Sequence, residues 1–211
     1  MTPPCCSECF PVFRGLIVNS SFVPPVLGGL VLPYAQVARA LAPWSGTMTA
    51  TVTITVRRAV AGDTSAIAAV FDAAVRAGWG YLGDLVDEPM FTSEDWVQLV
   101  ADHMPPNVLL VATDEAGVVV GYAAAHPDDG ELFLLFVHPT HAGMGVGRTL
   151  LTAAHDALRG AGCAQAFLFV HERNERAIAV YTAAGYRPDG TDRVSDFRGT
   201  RVRELRLVKQ L

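Results

Sequence analysis

The chain has 211 residues, of which 51% are hydrophobic and 18% charged, and a formal net charge of −5. That length and apolar share suit one well-buried domain and exclude a disordered chain, which lacks the apolar surface to offset its ordering entropy. The acidic balance argues against a general nucleic-acid or anionic-membrane binder, whose surface must be basic to displace counterions. Any anionic ligand has to be held locally.

Residues 1–47 carry only Glu8, Arg14 and Arg39 as charges and hold seven of the 13 prolines, a spacing that neither a helix nor a strand survives. The uncharged stretch 15–38 is broken by Pro24-Pro25, Gly28-Gly29 and Pro33, so a membrane-spanning helix is a poor reading. Ala40-Leu41-Ala42 has the form of an export cleavage site, but the expected basic leading region reduces to one arginine. Cys6-x-x-Cys9 has the spacing of half a zinc site with no second ligand pair to complete it, and no metal centre is predicted. At Met48 the text changes abruptly to a β-branched run followed by an amphipathic helix, as a domain begins. We expect residues 1–47 to be a disordered extension, or untranslated with Met48 as the start, and one domain over residues 48–211, located in the cytoplasm.

Residues 51–57 alternate in the manner of a strand, and Asp63 is expected to cap a helix carrying Ile67, Val70, Phe71 and Ala74 on one face. Residues 78–90, rich in glycine, proline and acids, read as a functional loop, after which Thr92 or Ser93 caps a second helix with Trp96, Leu99 and Val100. Residues 107–113 and 118–125 read as strands around an Asp114-Glu115-Ala116-Gly117 turn, and residues 131–137 as a central strand covered on both faces. A helix with Val146, Leu150, Leu151, Ala154 and Leu158 follows, then a strand at 166–170, a helix at 174–184 closed by Gly185, and a hairpin at about 194–207. The order reads βααββββαβαββ with its joins open. It predicts a mixed sheet with helices on both faces, a three-layer α/β/α domain of the α+β or α/β class.

Between the buried strand and the next helix, "HPTHAGMGVGRTLL" sets Gly143, Gly145 and Gly147 at alternate positions. Glycines admit close backbone approach, and free N–H groups at the positive end of a helix dipole attract phosphate. Arg148 in the first helical turn opposes that dipole unless an anion lies nearby. The dinucleotide pattern fails because it needs glycine where Leu150 stands, and a Walker loop fails for want of Gly-Lys-Ser/Thr.

Val137, Pro139, Gly143, Gly145 and Gly147 stand in the register V-x-P-x-x-(Arg/Gln)-G-x-G-x-(Gly/Ala), and Asn174, Ala177, Tyr181, Gly185 and Tyr186 match N-x-x-A-x-x-x-Y followed by glycine and an aromatic. On these two motifs the chain, from about residue 54 to 207, resembles the GNAT superfamily of acyl-CoA N-acyltransferases. The resemblance implies an α+β fold with a mostly antiparallel central sheet. It also implies N-acetyl transfer from acetyl-CoA, without a metal, to a primary amine of a small molecule or peptide. A homodimer is compatible with it.

It assigns the pyrophosphate to the turn formed by Ala142, Gly143, Met144, Gly145, Val146, Gly147 and Arg148, and the pantetheine to backbone groups of Phe136 and Val137 in a splay between two strands. Asn174 would touch the cofactor as well as cap its helix, and Tyr181 would protonate the departing thiolate. The family's Arg or Gln is Ala142 here, so main-chain groups carry the phosphate contact, with His141 or Arg148 compensating. Glu131 leads the candidates for the base, beside His126, His171 and Glu172 at strand ends. Residues 78–90 and the closing hairpin are expected to grip the acceptor, with Asp84, Asp87 and Glu88 drawing a cationic amine and Trp79 and Tyr81 forming an apolar wall. Ala142 and the unsettled base leave an alternative, a non-catalytic acyl-CoA-binding module.

Overall fold

The computed structural model describes residues 53–87 and 89–211. The boundary expected at Met48, the Cys6/Cys9 pair and the readings of residues 1–47 lie outside the described residues, as does Glu88. Strands β1 (Thr55–Arg58), β2 (Val108–Thr113), β3 (Val119–His126), β4 (Glu131–Val137), β5 (Gln165–His171), β6 (Arg187–Phe197) and β7 (Thr200–Gln210) form one sheet in the order β1-β2-β3-β4-β5-β7-β6. Every neighbouring pair is antiparallel except β4 and β5. Helices α1 (Thr64–Gly78) and α2 (Ser93–Asp102) pack on one face, and α3 (Val146–Gly160) and α4 (Glu175–Ala183) on the other. This is the expected three-layer α+β domain, with three strands rather than four between α2 and α3 and a closing hairpin that starts earlier, at Arg187.

Side-chain alternation divides the core between the two faces. In β2, Val108, Leu110 and Ala112 join the layer under α3 and α4, while Leu109 and Val111 join the layer under α1 and α2. In β4 the alternation slips. Phe133 and Leu134 both point to the α1/α2 layer, opposite an irregular register at Ala124/Ala125 of β3, where a bulge shifts the pairing by one. Leu135 and Val137 then face α3 and α4, and Phe136 faces α1, stacking against Tyr122 at 5.5 Å and meeting Phe71 edge-on at 5.1 Å.

Local signals account for most boundaries. Thr92 caps α2 by accepting the Asp95 N–H at 3.2 Å. Asp114 Oδ1 accepts the N–H groups of Ala116 and Val118 at 3.0 and 2.9 Å, and Gly117 supplies the positive φ of 79° that turns β2 into β3. Asp63 behaves differently from expectation. Its carboxylate is taken by the Arg57 guanidinium through two 2.7 Å bonds, which hold its pKa below the usual carboxylate range, so its side chain does not cap α1.

One irregularity positions everything that follows. β5 pairs with β7 from Gln165 to His171, but with β4 it shares a single register pair, Glu131↔Phe167, beside the Phe167 N–H bond to the Gly130 carbonyl at 3.0 Å. Beyond that pair the two parallel strands part. Among the described residues no helix is long and apolar enough to cross a membrane.

His103 ends α2 inside the protein, donating from Nδ1 to the Leu99 carbonyl at 2.8 Å and stacking on His126 and Phe133. Burial lowers its pKa to about 4. The unfolded imidazole, near 6.5, therefore binds a proton that the folded one refuses, so this stabilisation is complete above about pH 6.5 and disappears as pH falls toward 4. We expect unfolding stability to drop by about 2 kcal/mol from this group between pH 7 and 5, and His103→Asn to flatten the slope by that amount in urea titrations at the two pH values.

Candidate active site

The parting of β4 and β5 opens beside the start of α3. Gly143 and Gly145 adopt φ of +80° and +86°, and no atom lies within 4 Å of where a Cβ would stand on either, so backbone conformation rather than crowding calls for glycine. The first bond into α3 runs from the Thr149 N–H to the Gly145 carbonyl at 3.0 Å. The N–H groups of Val146, Gly147 and Arg148 are left without an intrahelical acceptor at the positive end of the dipole.

A cavity of about 480 Å³ joins this turn to the splay, lined by Leu135 and Val137 from β4, by Gly143, Gly145, Val146, Gly147 and Arg148, and by Ala183 and Ala184 from the end of α4. His141, His155 and Lys209 are also in the wall. Arg148 and Lys209 bring positive charge to a cavity in a chain of net charge −5. His155 donates to or accepts from the Tyr186 hydroxyl at 2.8 Å, and burial with nearby Lys209 holds its pKa at about 4, so it is neutral at pH 7.

Tyr181 lies under the splay in the same apolar layer as Leu135, Val137, Leu168 and Val170. It is 0% exposed, packs against Tyr186 at 5.5 Å between ring centres, and its hydroxyl has no hydrogen-bond partner. Burial, helped by Tyr186, raises its pKa well above 10 and keeps the proton on oxygen. A buried hydroxyl with nothing to donate to costs about 1–3 kcal/mol, which packing alone does not explain. Asn174 caps α4 through Oδ1, which accepts the Ala177 N–H at 3.1 Å.

The other predicted residues fall less neatly. Phe136 is turned away from the cavity. Its carbonyl points at β3, 2.9 Å from where a Cβ on Gly121 would lie, so by alternation the free main-chain groups belong to Leu135 and Val137. Ala142 and the exposed Met144 are in the turn but do not line the cavity. Glu131 opens β4 at the end where the strands still pair, buried, with Oε2 3.8 Å from His126 Nδ1. Leu135 lies further along β4, past the bulge, and Glu131 does not line the cavity. Glu172 is exposed and paired with Arg203 at 3.2 Å. Trp79 is a core residue, 1% exposed, rather than a wall.

Within residues 78–90, Gly80–Val86 form two 3₁₀ turns kinked at Gly83, where φ is +60°, and the segment is tied to the closing hairpin where Arg198 donates to the carbonyls of Leu85 and Pro89 at 3.0 and 2.6 Å. His155 was legible as a polar residue in the stripe Leu151, His155, Leu158, whereas nothing in the sequence pointed to Lys209.

The model of the acetyltransferase (GNAT) family matches residues 73–186, more than half of the chain. The chain belongs to the acetyltransferase (GNAT) family. Two curated relatives, both mycothiol acetyltransferases, are 37% identical over 113 residues (Propionibacterium freudenreichii subsp. shermanii; 50% of this chain, 36% of that one) and 33% identical over 131 residues (Stackebrandtia nassauensis; 59% and 40%). The chain thus spans little more than a third of the length of these relatives. Among solved structures, a ribosomal-protein-alanine N-acetyltransferase from Brucella melitensis superposes with TM-score 0.61 at 25% identity, covering 74% of this chain and 99% of that one. The yncA acetyltransferase from Salmonella typhimurium, solved with acetyl-CoA, gives 0.59 at 20% identity, covering 75% and 94%.

In this GNAT domain, Gly145→Asp places a side chain and a negative charge into the open space before α3, while Asp tolerates a positive φ better than most residues. We expect the acetyl-CoA dissociation constant to rise at least tenfold, about 1.4 kcal/mol, with the thermal midpoint lowered only slightly. Calorimetric titration of the folded variant is the measurement, and an unchanged constant removes the phosphate role of the turn.

Proposed function

We propose that this chain is an N-acetyltransferase that moves the acetyl group of acetyl-CoA to a primary amine of a small molecule or peptide. The observation that carries the reading is the parted β4–β5 pair, with a glycine-turned helix start at its mouth and the unpartnered Tyr181 hydroxyl beneath it. Leu135 and Val137 offer main-chain groups along the gap, which suits a substrate arm that carries amides. The free N–H groups of the turn, with Arg148 and Lys209, suit its phosphates. Tyr181 donates to the leaving sulfur, where a hydroxyl held neutral by burial stabilises developing negative charge in a site that excludes water. Similarity to mycothiol acetyltransferases supports a small-molecule acceptor of that kind, and a cytoplasmic location fits the same reading.

Release of CoA thiol from acetyl-CoA, followed across polyamines, amino acids, aminoglycosides and peptide N-termini, tests the activity. At least one amine is expected to accelerate it; tight acetyl-CoA binding with no transfer to any of them favours a non-catalytic binding module. Tyr181→Phe is expected to lower kcat about a hundredfold or more while leaving acetyl-CoA affinity unchanged. Because the hydroxyl is unpartnered, its thermal midpoint should hold or rise. Full kcat in Tyr181→Phe removes this residue from the chemistry.

A further inference from the structure

On the face of the sheet opposite Tyr181, four polar side chains form a line through otherwise apolar surroundings. The Tyr81 hydroxyl meets His171 Nδ1 at 2.9 Å. His171 Nε2 faces Glu204 Oε1 at 3.4 Å, and Glu204 Oε2 accepts from Arg193 Nε at 2.6 Å. His171 and Glu204 are 2% and 0% exposed, yet Glu204 Oε1 has no hydrogen-bond partner. A buried carboxylate oxygen left in this state is costly, and besides Arg193, whose Nη2 is also unpartnered, the group that faces it is the His171 ring, which satisfies it with a proton on Nε2.

The line ends at the splay. His171 closes β5, on the side of the Glu131↔Phe167 pair where β4 and β5 part, so it flanks the gap. Trp79 joins the two strands on this face, 6.3 Å from Phe136 and 5.2 Å from His171 between ring centres. Tyr81 is the outermost member, half-buried, on the segment that Arg198 ties to the closing hairpin. Arg173 bonds its carbonyl and lies over its ring.

We propose that Tyr81, His171 and Glu204 form the proton-accepting chain for the acceptor amine, with Tyr81 the residue that meets the amine and Glu204 a positioning residue behind His171. The inference rests on the N-acetyltransferase reading. The neutral amine attacks the thioester carbon and forms the C–N bond. Its N–H proton passes to the Tyr81 oxygen as the Tyr81 proton passes to His171 Nδ1, and Glu204 stabilises the resulting imidazolium. The C–S bond breaks with its electron pair on sulfur, which leaves held by the Tyr181 hydroxyl and takes up a proton on dissociation, while the imidazolium returns one to water. Protons balance. The groups facing His171 are Tyr81, Glu204 with its partner Arg193, and the apolar rings of Trp79 and Phe197.

Thiol release is measured from pH 6 to 9 with acetyl-CoA and the fastest acceptor among spermidine, glucosamine and an alanyl peptide. Tyr81→Phe and His171→Gln are expected to lose about a hundredfold or more in kcat with acetyl-CoA affinity unchanged. Glu204→Gln should move the acid limb of the kcat/KM profile to lower pH, which a merely structural role would not do. Glu131→Gln serves as the comparison. Should it alone abolish the acid limb while Tyr81→Phe keeps full kcat, the chain is overturned. A second arm needs no acceptor: in ¹⁵N-histidine NMR, neutral His171 is expected to carry its proton on Nε2 with Nδ1 bare. A proton on Nδ1 overturns the proposal. If no amine is turned over, the N-acetyltransferase reading fails, and the NMR arm still decides whether the chain exists.

Discussion

The separation of two parallel strands is the constraint on which the rest of this domain depends. β4 is committed to β3 on one side and β5 to β7 on the other, and the two are joined only at Glu131↔Phe167. Main-chain groups in the middle of a buried sheet demand partners, so a gap there is expensive unless something else fills it. The crossover from β4 to β5 sets α3 with its N-terminus at the mouth of the gap, and α4 returns across the same face. The opposite face is closed by Trp79 and Phe136 and edged by His171. Each part of the site is therefore aimed at the place where β4 and β5 part.

The electrostatics follow from that placement. A chain of net charge −5 has no general attraction for anions, and the glycine turn supplies it from N–H groups and helix dipole, which the overall charge does not cancel at short range. Ala142 removes the side chain that would normally reinforce this, while Arg148 and Lys209 line the same cavity from α3 and β7. One cation is local in sequence and the other more than sixty residues away. Burial keeps His155 neutral between them.

Much of this could be seen in the sequence because its signals are local. The caps and turns at Thr92, Gly117, Asn174 and Gly185, the apolar run of β4 and the stripe of α3 each lie within one element, and they place the elements correctly. What could not be seen depends on contacts between distant segments. Phe136 was assigned to the cofactor by resemblance, but parity along β4 is set by a bulge at Phe133, where Ala124 and Ala125 of β3 pair with Leu134 and Leu132, and no period in β4 itself reveals it. Asp63 looked like a cap until Arg57 of the preceding strand claimed its carboxylate. Trp79 and Tyr81 read alike as loop aromatics, yet one is core and the other reaches His171, ninety residues on. Glu204, in an alternating strand, carried no sign that it is fully buried.

Unsatisfied buried polar atoms give a separate line of argument, because each one in a native fold calls for a reason. Among the described residues six side-chain atoms are in this position: Trp79 Nε1, His103 Nε2, the hydroxyls of Tyr122 and Tyr181, Arg193 Nη2 and Glu204 Oε1. Tyr181 lies beneath the gap, Trp79 above it, Glu204 and Arg193 behind its edge, and Tyr122 stacks on Phe136 at its other side. Only His103 stands apart, toward the closed end with Phe133. A fold selected for stability alone would replace such groups by apolar residues of similar shape at little cost. Of the six, Tyr181 and Trp79 flank the parted strands from opposite faces of the sheet, which fits the reading that places the site there.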